Sequence, residues 1–150
     1  MIKLNNEVFN LKELEVFGNK FALELDKGDL ILLSGDLGSG KTTFVRFVIQ
    51  SLYKKNKIKI PKQIRSPSYP ILITYPLRYY EIYHYDLYRI KKINELIELD
   101  IYENLQNSIT FIEWPNIILE NLSNQNYYKI DFEIKNQNTR YLNLKLFNKN

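Results

Sequence analysis

The chain contains no cysteine. That excludes a disulfide framework and any thiolate-ligated metal site, and it suits a reducing compartment. Histidine is nearly absent as well: His84 stands alone, so a multi-histidine metal centre is impossible. No apolar run approaches the length of a membrane-spanning helix, and the opening residues MIKLNNE lack the apolar core of a signal peptide. A soluble protein of the cytoplasm, with no membrane partner, is expected. Internal repeats, low-complexity tracts and Gly/Ser linkers are missing too. Glycine is scarce, with five in 150 residues, yet three of the five fall in Gly35–Gly40. What is present suffices for one globular unit: 45% of residues are hydrophobic, and a chain of this length folds as a single domain, 1–150, without metals or disulfides. The net charge of +4 would help an anionic partner approach without demanding nucleic acid.

Asn10 with Glu13 three residues on has the spacing of a capping box, opening a helix to about Leu25 with Leu11, Leu14, Phe17, Phe21 and Leu25 as its apolar stripe. Leu30–Leu33 is the continuous apolar run of a buried strand. A helix from Lys41 to about Tyr53 follows the glycine-rich loop. Lys54–Pro67 is basic and turn-rich and reads as an exposed loop. Ile71–Tyr75 and Glu81–Asp86 read as a hairpin, Lys91–Leu105 as a helix broken near Asp100, and Ile109–Glu113 as a short strand. Pro115 suits the first turn of a helix to about Leu122. Tyr127–Ile134 and Arg140–Phe147 alternate as a closing antiparallel pair. Helices interleaved with apolar strands predict an α/β fold with helices on both faces of a sheet.

Gly35-Asp36-Leu37-Gly38-Ser39-Gly40-Lys41-Thr42 fits G-x-x-x-x-G-K-[ST] at every position. Glycines let the backbone curl until successive N–H groups converge on phosphate oxygens, and the helix that begins there presents its positive end to the same anion. Lys41 is expected at the β- and γ-phosphates and the Thr42 hydroxyl at magnesium. The preceding apolar strand and the apolar-faced helix that follows (Phe44, Val45, Phe47, Val48, Leu52) supply the context the motif needs. The expected ligand is ATP with Mg²⁺, wrapped by Asp36, Leu37, Gly38, Ser39, Gly40, Lys41, Thr42 and Thr43. Nothing in the sequence reads adenine against guanine.

A nucleotide hydrolase also needs a carboxylate near the metal, usually at a neighbouring strand end. Glu113 ends the apolar run Ile109–Glu113, and Asp86 sits in His84-Tyr85-Asp86-Leu87-Tyr88-Arg89. Taken singly, Glu113 could be a solvated strand end and Asp86 with Arg89 a structural ion pair.

Four blocks in order, GDLGSGKTTF (35–44), SPSY (66–69), HYDLYR (84–89) and IEWP (112–115), together resemble the bacterial TsaE family, over roughly Asn10 to Leu122. The resemblance implies a three-layer P-loop NTPase-like domain with a mixed sheet. It also implies a Mg-dependent, partner-stimulated ATPase needed for threonylcarbamoyladenosine in tRNA, working with the TsaD and TsaB proteins. Contact with tRNA is then expected to be indirect, through that complex. Carried over position by position, Lys41 and Thr42 match the phosphate and magnesium residues. Glu113 matches the acid tied to magnesium and hydrolysis, and Asp86 the acid near the metal or attacking water, the two roles being left undivided. Trp114 matches the tryptophan beside the nucleotide, and Ser68 lies in a switch-like segment. Two positions depart from the pattern. Ser68 stands where threonine is usual, keeping the hydroxyl and losing the methyl, and Leu14, four residues before Gly18, stands where the family often has threonine.

His84 reads as orienting its strand or loop rather than as a general base. Arg89 reads as pairing with an acid rather than reaching phosphoryl charge. The basic run Lys54, Lys55, Lys57, Lys59, Lys62 and Arg65 suits a tRNA or partner patch, but aromatic interleaving is sparse and a solvated loop is the expectation. Two other classes use the same loop: a small-molecule kinase, which needs an acceptor pocket and a base, and a non-catalytic nucleotide-binding adaptor.

Overall fold

In a computed structural model, which describes residues 2–122 and 124–148, the chain is built on one seven-stranded sheet. The elements run β1 (Leu4–Asn10), α1 (Leu11–Glu24), β2 (Leu30–Ser34), α2 (Lys41–Lys55), β3 (Leu72–Pro76) and β4 (Glu81–Asp86). There follow α3 (Ile93–Glu98), α4 (Ile101–Asn104), a 3-10 turn at Leu105–Asn107, β5 (Ser108–Glu113), α5 (Asn116–Leu119), β6 (Tyr127–Ile134) and β7 (Thr139–Phe147). The spatial order is β1-β7-β6-β2-β5-β4-β3. β6, β2, β5 and β4 are parallel, while β3, β7 and β1 are antiparallel to their neighbours.

The capping box forms as the spacing predicts. The Asn10 side chain accepts from the Glu13 N–H at 2.9 Å, and the Glu13 carboxylate accepts from the Asn10 N–H at 2.8 Å. α1 then buries Leu14, Phe17, Phe21 and Ala22 against α2, with the Phe17 and Phe44 rings stacked at 5.4 Å. Gly18 makes this approach possible, because a Cβ there would stand 3.1 Å from that of Phe47.

β2 is covered on both faces. Ile31 and Leu33 pack beneath α1 and α2, while Leu30 and Leu32 pack against Leu96, Ile101 and Ile118 of α3, α4 and α5. This gives three layers around a mixed sheet, the α/β architecture read from the chain. A strand buried on both faces has no polar side to show, so its sequence is a continuous apolar run. Each fully buried Leu or Ile contributes about 1.5–3 kcal/mol.

Some elements differ from expectation. β1 is an edge strand bonded only to β7, with Leu4 its one buried residue and a register shift between Leu4 and Glu7. Pairing with β7 is supplemented by only two side chains, Leu4 in the core and Phe9 against the Phe17 ring at 5.4 Å, so no full apolar alternation is needed. The helix at Pro115 ends after one turn, with Ile118 buried and Ile117 and Leu119 partly buried against the same core. The expected break at Asp100 is a left-handed residue, φ 51°, a conformation aspartate tolerates better than most. The segment between α2 and β3 is not wholly exposed: Ile58 and Ile60 pack on the core and Ile64 is buried. Among the described residues, no helix is long and apolar enough to cross a membrane.

Candidate functional site

The parallel strands β2, β5 and β4 end side by side, with Leu33 opposite Glu113 and Glu113 opposite Asp86. Ligands in open α/β sheets sit outside such carboxyl ends. Here they meet a cavity of about 300 Å³ lined by the loop before α2, Ser66, Ser68, Asp86, Tyr88, Glu113 and Trp114.

The loop holds its shape through residues only glycine satisfies. Gly35 (φ 145°), Gly38 (φ 77°) and Gly40 (φ 109°) all have positive φ. A Cβ on Gly35 would lie 2.6 Å from the Phe132 carbonyl and from Ser39 Oγ. Gly40 caps α2, whose own first turn carries no acidic side chain, and the N-terminal end of the helix borders the cavity. Arg140 of β7 braces the loop from behind, donating to the carbonyls of Ser39 at 3.1 Å and Gly38 at 3.2 Å. No signal in the sequence marks Arg140, because the contact spans 101 residues and exists only once β7 has joined the sheet.

Lys41 is buried and turned back into the loop. Its Nζ donates to the carbonyls of Gly35 and, at 3.0 Å, Asp36, and lies 4.5 Å from the centre of the Trp114 ring. Burial holds the Lys41 pKa below its usual 10.5, and the carboxylates of Glu113, Asp86 and Asp36 work in the opposite direction.

Glu113 is the hub of the acidic side. Its Oε1 accepts from Thr42 Oγ1 and from His84 Nε2, each at 2.8 Å. His84 is fully buried, and its Nδ1 has no hydrogen-bond partner. It therefore holds the Glu113 carboxylate, a contact that differs from the orientation of its own strand or loop read from the sequence. Asp86 is held separately: Oδ2 accepts from Ser68 Oγ at 2.8 Å and Oδ1 from the Tyr88 N–H at 3.0 Å. Ser68 in turn meets Ser66 Oγ at 2.6 Å.

Arg89 corrects an expectation. Among the described residues it pairs with no acid; it donates to the carbonyls of Ser68 at 3.0 Å and of Tyr69, and lies over the Tyr69 ring. Its planar fork satisfies two carbonyls of one turn, so it fastens the 66–69 segment beside Asp86. Trp114 takes a left-handed backbone, φ 57°, held by its N–H to Leu33 O at 3.2 Å and by the Tyr88 ring at 4.9 Å. A bulky residue at positive φ is strained, and such strain gathers at functional sites.

Across the loop, sharing Gly38, Gly40 and Thr43, lies a second cavity of about 300 Å³ lined by Phe9, Leu11, Leu14, Asn138 and Arg140. Leu14, where threonine is often found in the family, lines it with a hydrocarbon side chain.

A protein-family model described as "Threonylcarbamoyl adenosine biosynthesis protein TsaE" matches residues 8–142. The chain belongs to the TsaE family. The protein named tRNA threonylcarbamoyladenosine biosynthesis protein TsaE of Rickettsia typhi is 37% identical over 145 residues, covering 97% of this chain and 94% of that one. The TsaE of Bacillus subtilis is 31% identical over 122 residues, covering 81% and 73%. The crystal structure of YdiB from Bacillus superposes with a TM-score of 0.63 at 22% identity, over 96% of this chain and 86% of that one, and shows the shared fold. All four blocks of the TsaE resemblance, from Gly35 to Pro115, fall within the matched region.

Proposed function

We propose that this chain binds ATP with Mg²⁺ across the 35–43 loop and hydrolyses it, in support of threonylcarbamoyl transfer to tRNA by the TsaD–TsaB pair. The observation that carries the reading is the meeting of Lys41, Thr42, Glu113 and Asp86 around one cavity at the ends of β2, β5 and β4. The triphosphate would exchange its oxygens for the loop carbonyls that Lys41 now contacts. The second cavity, joined at Thr43, offers apolar walls to the base.

Magnesium fits the donors present: it prefers oxygen, keeps several waters and binds protein through one or two groups, and Thr42 Oγ1 and Glu113 stand 2.8 Å apart. When bound it neutralises charge on the β- and γ-phosphates. This placement favours Glu113 on the metal side. Asp86, aimed by Ser68 and the Tyr88 N–H, is then the group that orients the attacking water. In that reaction the water oxygen bonds to the γ-phosphorus, the bond to the β-bridging oxygen breaks, and the water's proton leaves toward the carboxylate.

Among the described residues, Lys41 is the one basic side chain that lines the cavity. Arg89 and Arg140 are both committed to backbone carbonyls. Among the described residues no arginine lines this cavity, and hydrolysis is expected to be slow alone and faster when a partner supplies one.

The test is phosphate release from Mg·ATP with and without purified TsaD–TsaB, with Lys41→Ala as blank. Release that requires the partners and vanishes in the blank supports the proposal. Absence of binding to TsaD–TsaB overturns the partnership. Label appearing on an added metabolite would assign a kinase, and binding without turnover under every condition an adaptor.

A further inference from the structure

The positive charge of this chain is concentrated rather than spread. Residues 54–65, KKNKIKIPKQIR, hold six basic side chains and no acidic one. The other 138 residues hold 15 basic against 17 acidic side chains, a net −2, so this segment alone makes the whole chain positive.

The structure shapes the segment into a one-sided ribbon. It leaves α2 through a helix ending in which the Lys57 N–H donates to the Lys54 carbonyl at 3.0 Å and the Ile58 N–H to that of Tyr53 at 3.2 Å. Lys57 takes the left-handed position of this ending, φ 54°, where glycine or asparagine is usual. Beyond it, Ile58, Ile60 and Ile64 turn to the core, while Lys57, Lys59, Lys62 and Arg65 stand exposed. Arg46 Nε anchors the ribbon, donating to the Ile64 carbonyl at 2.8 Å. The isoleucines thus hold the cations on one outward face.

Two of the six have work inside the fold. Lys54 and Lys55 lie in the last turn of α2, where cations complement the helix dipole, and Lys55 Nζ donates to the Leu25 carbonyl at 3.3 Å. Lys57, Lys59, Lys62 and Arg65 have none. Among the described residues the ion pairs are Lys12–Glu15, His84–Glu113 and Lys129–Asp131, and these four side chains join no ion pair or hydrogen bond. Uncompensated like charges repel and weaken the compact state, and a lysine at positive φ adds strain that glycine would relieve. Both features oppose folding.

We propose that the ribbon is a contact surface for the phosphate backbone of an RNA helix. The segment contains no aromatic residue, so it offers bases nothing to stack on, as a single-strand binder would. Outward cations match the backbone instead, which supplies the sequence-independent part of nucleic-acid affinity. The inference goes beyond ATP hydrolysis and does not depend on it: the chain itself meets RNA, in place of the indirect contact read from the sequence. The ribbon runs into Ser66 and Ser68, so RNA seated on it lies beside Asp86 at the rim of the nucleotide cavity.

The test is fluorescence anisotropy of a labelled RNA hairpin titrated with the full chain over a range of KCl concentrations. Four backbone contacts give a slope of about −3 to −4 in log affinity against log salt. Combining Lys57→Glu, Lys59→Glu and Lys62→Glu is expected to weaken binding at least about tenfold and to flatten the slope by about three. The same charge change at exposed lysines elsewhere, Lys3→Glu, Lys20→Glu and Lys145→Glu, is expected to leave binding within about twofold, since those lysines make no contact. Lys57→Gly should raise Tm yet weaken RNA binding, opposite signs that a purely structural lysine does not give. Equal loss in both triples, loss in neither, or binding of phosphatidylserine vesicles or polyglutamate in preference to RNA overturns the proposal. A fluorescent ATP analogue measured on the same samples keeps this outcome separate: nucleotide binding retained while RNA binding fails refutes only the ribbon.

Discussion

Glu113 offers a substitution pair whose two members should fail in different ways. Glu113→Ala removes the acceptor shared by Thr42 Oγ1 and His84 Nε2. The Thr42 hydroxyl borders the cavity and can turn to solvent. His84 is fully buried and its other nitrogen is already unpartnered, so its N–H is stranded. One stranded buried donor costs about 1–3 kcal/mol. For a chain of this size that lowers Tm by roughly 4–8 °C, taking about 2 kcal/mol. Glu113→Gln instead keeps an oxygen where Oε1 stands, so both hydrogen bonds survive and the loss stays under about 1 kcal/mol. The amide has no charge for a cation and no affinity for a proton, so phosphate release in the presence of partners should fall about 100-fold or more. Thermal melts and a phosphate-release assay on both variants decide it. The reasoning is refuted if Glu113→Gln destabilises as much as Glu113→Ala, or if it keeps turnover close to wild type.

Gly35→Ala should be destabilising by about 2 kcal/mol or more and abolish nucleotide binding, because its Cβ meets the Phe132 carbonyl at 2.6 Å; a urea midpoint equal to wild type contradicts this loop geometry. Lys41 gives a pH signature. Burial disfavours its charged form, so in the free protein it subtracts stability below its lowered pKa, and that loss is relieved as pH rises through that pKa toward 10.5. A bound triphosphate favours the ammonium, so ATP affinity should fall as pH rises through the lowered pKa, with proton uptake on binding; calorimetry in buffers of differing ionisation enthalpy would refute this by showing no uptake. Arg89→Lys loses the two-carbonyl clamp and the stack on Tyr69. Hydrogen exchange at Ser68 and Tyr69 should speed up while Tm barely moves, and unchanged protection there would show that Arg89 is not the fastening.

The sequence by itself determined the features that rest on local chemistry. The capping box at Asn10, the apolar run of β2 and the glycines of the 35–40 loop are each dictated by neighbours within a few residues, so they can be read without a fold. The four blocks also named the acids of the site. Only the tertiary structure shows what each of those acids meets. Glu113 and Asp86 are 27 positions apart in the chain and register partners in the sheet, and what separates them is that one meets Thr42 and His84 while the other meets Ser68 and Tyr88. The same holds for Arg140 behind the loop, for Arg89 on backbone carbonyls rather than an acid, and for β1. Each depends on backbone groups that carry no residue identity, brought close by sheet pairing across a long stretch of chain, and such contacts leave no pattern in the order of the amino acids.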